Sequence, residues 1–287
     1  MSPLDFVRQF VMGISSGMVT FLMAAGMSLV MSGMNIINFG QGAFFILGAF
    51  LCVSLTAAMN FWWALILAPL IVAALGGLTE FLLRPLYGKS ILYQLLLTMG
   101  VAFVIIDAIR TIWGKLIRTI MVPDFLSSTV FFLGLDFPAY YIFITIISAL
   151  IALGLWLMFE RTRLGMLFRA IISDRPMVGN LGINVSLIFS IMFMFGVWLS
   201  GVAGVLMAPI IGIDSQLAIP VLFTLMTVLV IGGLTSMRGA LLASLIVGVV
   251  NALGSMLLPW FYTLIPAAMM IIVLLLKPQG LFGGLED

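Results

Sequence analysis

Glu160-Arg161-Thr162-Arg163-Leu164-Gly165-Met166-Leu167-Phe168-Arg169-Ala170-Ile171-Ile172-Ser173-Asp174-Arg175-Pro176-Met177-Val178-Gly179-Asn180-Leu181-Gly182-Ile183-Asn184 divides this chain and decides how the rest of it is read. The chain carries 12 Lys+Arg and 10 Asp+Glu, and six of those charges (Glu160, Arg161, Arg163, Arg169, Asp174 and Arg175) fall in this stretch. On either side the sequence is apolar for long distances. A charged segment between two membrane spans lies outside the hydrocarbon, and its arginine excess marks the cytoplasmic side. Within it Leu164, Leu167, Phe168, Ile171 and Ile172 recur at i, i+3, i+4, i+7 and i+8. That spacing predicts a short amphipathic helix over 164–173. Arg163, Arg169 and Asp174 fall off the apolar stripe. Pro176 is expected to stop the helix, and Gly179 and Gly182 to allow sharp turns. Pattern alone leaves two readings: a surface helix whose arginines only fix topology, or a docking element for a cytosolic partner.

Composition bounds the class. The chain has 287 residues, 64% hydrophobic and 8% charged, against roughly 25% charged in a soluble domain. Too little polar surface is present to coat a globule in water. The expectation is an all-α polytopic membrane protein, one membrane domain over residues 1–287. A net charge of +2 is too small to point to nucleic acid. Histidine is absent, which removes the commonest metal ligand and the usual general base near neutral pH. Cys52 is the single cysteine, so no intrachain disulfide can form. The apolar run from Phe10 to Ser32 exceeds the roughly 7–15 residues of a signal-peptide core and reads as a retained span.

A span needs about 20 mainly apolar residues. Windows meeting that need fall near 10–32, 42–58, 61–83, 91–113, 138–159, 185–208, 218–236, 239–258 and 260–276, which predicts 8–10 transmembrane helices. Counted outward from the charged loop, eight basic residues (Arg84, Lys89, Arg161, Arg163, Arg169, Arg175, Arg238 and Lys277) fall inside, and four (Arg8, Arg110, Lys115 and Arg118) outside. The N-terminus is then external and the C-terminus cytoplasmic. The external loop from Gly114 to Phe137 is expected to form a short helix or a cap.

Between the first two windows, Gly33-Met34-Asn35-Ile36-Ile37-Asn38-Phe39-Gly40-Gln41-Gly42 carries no charge. Unwound backbone at membrane depth is tolerated where it lines a cavity or is buried in protein. A broken or re-entrant segment over 33–42 therefore reads as either a pathway element or an interfacial turn. On the pathway reading, Asn38, Gly40, Gln41 and Gly42 line the route or brace its wall.

Other features carry structural readings. Asp107 with Arg110, and Glu80 with Arg84, are expected to pair along their helices. Asn251 suits interhelical hydrogen bonding and is the further pathway candidate. Gly13 with Gly17, Ser200 with Gly204, and Gly248 with Ala252 have the small-residue spacing of close helix contacts. Gly88-Lys89-Ser90 is not a phosphate loop, because position 83 is Leu where that motif needs Gly. No nucleophile–base pair or carboxylate pair is visible, which argues against a membrane enzyme.

Several of these stretches, in order, resemble the LivH-like permease subunits of bacterial branched-chain amino-acid ABC importers. The resemblance rests on Asn38-Phe39-Gly40-Gln41-Gly42 with Leu47-Gly48-Ala49; on Arg161-Thr162-Arg163-Leu164-Gly165 with Arg169-Ala170, Asp174 and Gly182-Ile183-Asn184; on Leu199 to Leu206; on Gly232-Gly233-Leu234 with Gly239-Ala240; and on Lys277-Pro278-Gln279-Gly280. Ala43 and Val178 depart from the family pattern, and Pro176 is unusual in its loop helix. The resemblance implies a multi-pass subunit of the bacterial inner membrane. Its implied partners are a second homologous permease, two cytosolic ATPase subunits and an external substrate-binding protein. ATP and Mg would reside on the ATPases, with no cofactor on this chain. The cargo implied is a branched-chain amino acid or a related small polar solute. The competing class is a stand-alone channel or secondary transporter for a small uncharged solute such as urea or an amide. The resemblance implies ATPase coupling through Leu164, Gly165, Leu167, Phe168, Arg169, Ile171, Asp174 and Gly182. Leu164, Leu167, Phe168 and Ile171 are expected to fill a groove on the ATPase.

Overall fold

The computed structural model describes residues 3–132, 135–257, 259–261, 264–277 and 280. Helices dominate: α1 (Pro3–Met34), α2 (Gln41–Ala58), α3 (Phe61–Leu83), α4 (Ile91–Trp113), α5 (Ala139–Arg161), α6 (Arg163–Ser173), α7 (Arg175–Asn180), α8 (Val185–Met207), α9 (Ala218–Gly232), α10 (Met237–Leu257) and α11 (Ile265–Leu276). Among the described residues eight helices are long and apolar enough to cross a membrane: α1 to α5, α8, α9 with its preceding turn, and α10. The last sequence window condenses to the 12-residue α11. The window expected over 218–236 stops early, at Gly232. Gly233 takes φ 97°, and the backbones of Gly232 and Gly239 meet with no room for a side chain.

The centre of the bundle is α1, α2 and α8, whose Leu22, Met27, Phe44, Phe50, Phe189 and Phe193 are all buried. Apolar residues all round such helices suit a core position rather than a single buried stripe. Small residues set the close crossings, as their spacing predicts. A Cβ on Gly17 would lie 2.7 Å from the Ser244 carbonyl oxygen, and one on Gly48 the same distance from that of Gly201. Polar clasps tie α1 to α10 and to the turn before it: Gln9 Nε2 donates to the Ala252 carbonyl at 2.7 Å, and Ser32 Oγ to that of Thr235 in the turn at 3.3 Å. By contrast α4 and α5 are the least buried spans.

The loop before α5 is mainly a hairpin, β1 (Thr129–Phe132) paired antiparallel with β2 (Leu135–Pro138), after one 3₁₀ turn over Asp124–Leu126. Four-residue strands leave too weak a period-two pattern to be read from the sequence. At the other end of the bundle lie α6 and α7. Pro176 does not simply stop a helix. It sits in the first turn of α7, where its missing N–H leaves no bond unmade.

Candidate translocation wall and coupling elbow

α1 ends where Asn35 turns to φ 55°, and no regular structure follows until α2 opens at Gln41. The break predicted over 33–42 is thus real, and it lies inside the protein: Ile36, Asn38 and Gln41 are fully buried. Its depth follows from its partner. Gln41 Nε2 donates to the Gly196 carbonyl at 2.9 Å, and Gly196 stands at the midpoint of the 23-residue α8. The remaining polar groups close on each other. Asn38 Nδ2 donates to Gln41 Oε1 at 3.0 Å, and Asn38 Oδ1 accepts from the Gly40 N–H at 2.9 Å. The Phe39 N–H donates to Thr98 Oγ1 on α4 at 3.3 Å. Each side-chain amide group of Asn38 and Gln41 therefore has a partner within this chain, as buried polar groups require. Gly42 admits no side chain: a Cβ would meet the Ala218 carbonyl and lie 3.1 Å from Leu222 Cβ on α9. Gly40 is looser, with its nearest Cβ contact at 3.0 Å.

Asn251 lies apart from this cluster, half-buried on α10, and its Oδ1 is buried without a hydrogen bond. The neighbouring Ala252 and Val249 face Gly13 of α1.

The second site is the α6–α7 elbow. Thr162 caps α6 by accepting from the Gly165 N–H at 3.2 Å. Asp174 Oδ1 accepts from the Met177 N–H at 3.0 Å and opens α7. Asn184 caps α8 in the same way. Each cap satisfies one of the donors that a helix start leaves free. Gly182 at φ 80° makes the turn into α8. The expected stripe exists but divides. Phe168 and Ile171 turn inward and are buried, with the Phe168 ring 5.9 Å from that of Phe159 on α5. Gly165 packs so closely that a Cβ would lie 2.6 Å from the Phe159 Cα. Leu167 is half-buried, whereas Leu164 is exposed with Met166, Ile172, Met177 and Leu181. Phe168 and Ile171 are thus core residues of this chain and are not presented to a partner's groove. Periodicity identifies an apolar face but not what covers it. Arg169 donates to the Phe159 carbonyl and reaches Glu160 Oε2 at 4.0 Å.

A polar clamp ties the end of α3 to α8 beside the elbow. Arg84 Nε contacts both Glu80 oxygens at 3.1 and 3.2 Å, and Arg84 Nη2 donates to Ser190 Oγ on α8 at 2.9 Å. The Tyr87 hydroxyl donates to Glu80 Oε1 at 2.5 Å. Burial, then the bond to Glu80, pushes the Tyr87 phenol above its ordinary value, so it stays a donor. The Tyr87 ring stands edge-on to Phe189 at 5.5 Å, and Arg175 of α7 lies 4.6 Å over the same ring. The Glu80–Arg84 pairing is as expected, but sequence reasoning missed the rest. Glu80, Arg84 and Tyr87 do stand at i, i+4 and i+7, a signal that one face carries all three.

The expected Asp107–Arg110 pair is absent. Arg110 Nε turns to Ser215 Oγ at 3.1 Å, in the turn before α9. Asp107 is exposed on α4, and among the described residues its carboxylate has no hydrogen bond or ion pair. Helical spacing permits such a pair, but a hydroxyl 105 residues away in sequence competes for the guanidinium.

A family model described as "Branched-chain amino acid transport system / permease component" matches residues 9–274. The chain belongs to this family. BraD of Pseudomonas aeruginosa, named a high-affinity branched-chain amino acid transport system permease protein, is 29% identical over 297 residues, covering 98% of this chain and 97% of that protein. LivH of Escherichia coli, with the same description, is 26% identical and covers 99% and 97%. A probable LivH of Methanocaldococcus jannaschii is 25% identical and covers 91% and 88%. Among solved structures, "PsaBC from Streptococcus pneumoniae in complex with Fab" aligns with TM-score 0.50 at 15% identity, over 99% of this chain and 94% of that one, which supports the fold. This permease is accordingly a multi-pass membrane protein and a component of a transport system.

Proposed function

We propose that this permease is one transmembrane subunit of an ATP-driven importer that passes a branched-chain amino acid or a closely related solute across the inner membrane. A second related permease, two cytosolic ATPases and an external binding protein complete the machine. The α6–α7 end faces the cytoplasm in this reading, and ATP is hydrolysed on the partner subunits. One observation carries it: a two-helix elbow outside the spans, tied to α8 by Arg175 over the Phe189 ring, which Tyr87 and the Glu80–Arg84–Ser190 cluster brace from the end of α3. A channel has no need of an element built to receive force from outside. Leu164, Met166 and Met177 form the outward surface an ATPase would grip. Gly165, Phe168 and Ile171 hold the elbow rigid against α5. Leu167, Arg169, Asp174 and Gly182 shape and orient it. Asn38, Gly40, Gln41 and Gly42 brace the pathway wall, and Asn251 is a wall group on α10. The test is uptake of labelled leucine by liposomes. The complete importer should accumulate it only with ATP inside. ATP-independent accumulation by this subunit alone would overturn the proposal.

A further inference from the structure

α5 stands at the rim of the bundle, packed chiefly along α1. Its outward face is apolar from Ile146 through Leu150 and Leu153 to Leu157, all exposed. That run rises about 16 Å, close to half of a hydrocarbon core about 30 Å thick. It therefore fits the acyl layer of one leaflet. Trp156, also exposed, stands near the end of the run, where aromatic rings favour the membrane interface. Leu150, Gly154, Leu157 and Arg161 follow at i, i+4, i+7 and i+11 and so form one line down this face. A Cβ added at Gly154 would meet nothing within 4 Å, so the line carries a dent that no side chain of this chain fills. Arg161 closes α5 about 6 Å beyond Leu157, at headgroup depth. Arg163 opens α6 immediately after. Both arginines are exposed, and neither has a carboxylate partner among the described residues. Glu160, the acidic group beside them in sequence, contacts Arg169, which also donates to the Phe159 carbonyl. The corner where α5 meets α6 thus joins an apolar track of leaflet length to two uncommitted cations.

We propose that this corner binds an anionic phospholipid of the cytoplasmic leaflet, its phosphate held by Arg161 and Arg163 and one acyl chain laid along Leu150, Gly154 and Leu157. Arginine suits the phosphate because its planar guanidinium donates in pairs to phosphate oxygens. A negative lipid supplies the counter-charge that this end of α5 lacks within its own chain, and each arginine near such a surface strengthens the attraction. A zwitterionic lipid brings its own cation to the same place and gains less. Assignment to the cytoplasmic leaflet rests on the orientation proposed above; the site itself does not. Gly165 and Phe168 fix α6 against α5, so a lipid held at this corner also holds the base of the elbow at a set depth. A topology signal needs only positive charge at this end of the chain, whereas a site needs these two arginines and the dent above them.

The experiment titrates the intact subunit with phosphatidylglycerol or phosphatidylethanolamine and counts bound lipids by native mass spectrometry. The parent should retain phosphatidylglycerol in preference. Arg161→Gln and Arg163→Gln should each weaken that retention about fivefold, and the double variant further. A control pair, Arg238→Gln with Lys277→Gln, removes the same charge from two other exposed positions and should leave retention unchanged. Equal loss in the control pair, or no preference for phosphatidylglycerol in the parent, overturns the site. Gly154→Leu fills the dent while keeping both cations. It should weaken retention, and an unchanged value would remove the acyl contact from the proposal. A benzophenone amino acid at Leu153, in native membranes, should capture lipid; a polypeptide adduct there would show that the face is covered by protein instead. None of these readouts uses ATP or cargo. A negative result therefore leaves the importer reading standing, and a failure of ATP-driven leucine uptake leaves the lipid site standing.

Discussion

Gln41 and Asp107 both stand on membrane helices, and the chain treats them differently. Gln41 is buried at the depth of the α8 midpoint, and its amide is held by Asn38 and the Gly196 carbonyl. Asp107 faces outward and is held by nothing in this chain among the described residues. A polar group satisfied from within supports the fold on its own account. A polar group left open within a span adds nothing to the stability of the chain alone. The difference separates the polar groups that are satisfied within this chain from one that is not.

The harshest way to break the comparison is to pack against the satisfied site. Gly42→Leu forces a side chain into the Ala218 carbonyl on α9. Overpacking costs about 1–3 kcal/mol and sometimes more, so the importer should still insert but lose leucine uptake and show the largest drop in thermal midpoint. Gly40→Leu should be milder, since its nearest contact is the side-chain oxygen of Asn38. Next comes Gln41→Leu, which strands Asn38 Nδ2, while the Gly196 carbonyl keeps its bond within α8. The one orphaned group costs roughly 1–3 kcal/mol, readable as a lower thermal midpoint of the isolated subunit in detergent. Glu80→Gln sharpens the comparison with a charged member of the satisfied class. Arg84 is 43% exposed and can rehydrate, so stability should fall by only about 1 kcal/mol. Uptake should fall further than ATPase activity, because the clamp holds α3 against the part of α8 whose Phe189 ring Arg175 of α7 covers. The smallest effect is expected at Asp107. In the subunit alone, Asp107→Leu removes no contact, so stability should stay within about 0.5 kcal/mol of the parent.

Much of this was legible in the sequence. Uncharged Asn and Gly residues between two apolar runs located the break, and arginine density located the elbow. Glycine spacing anticipated that α1 and α10 each make a close helix contact, but not that they make it with each other. Long-range partners were not legible. Arg110 prefers Ser215 to its helical neighbour Asp107, and Gln41 reaches Gly196, 155 residues away. Nor could a period of 3.6 tell that Phe168 packs on Phe159 rather than on another protein. The hairpin over 129–138 fell below the length at which alternation speaks.

The most direct measurement is maleimide labelling of Asp107→Cys and Gln41→Cys, each in the subunit alone and in the assembled importer. Cys52 is buried and serves as a silent background. Gln41→Cys is expected to be unreactive in both, and Asp107→Cys to label readily in the subunit alone. Ready labelling of Gln41→Cys in the subunit alone, or inertness of Asp107→Cys there, would contradict the division between satisfied and open polar groups.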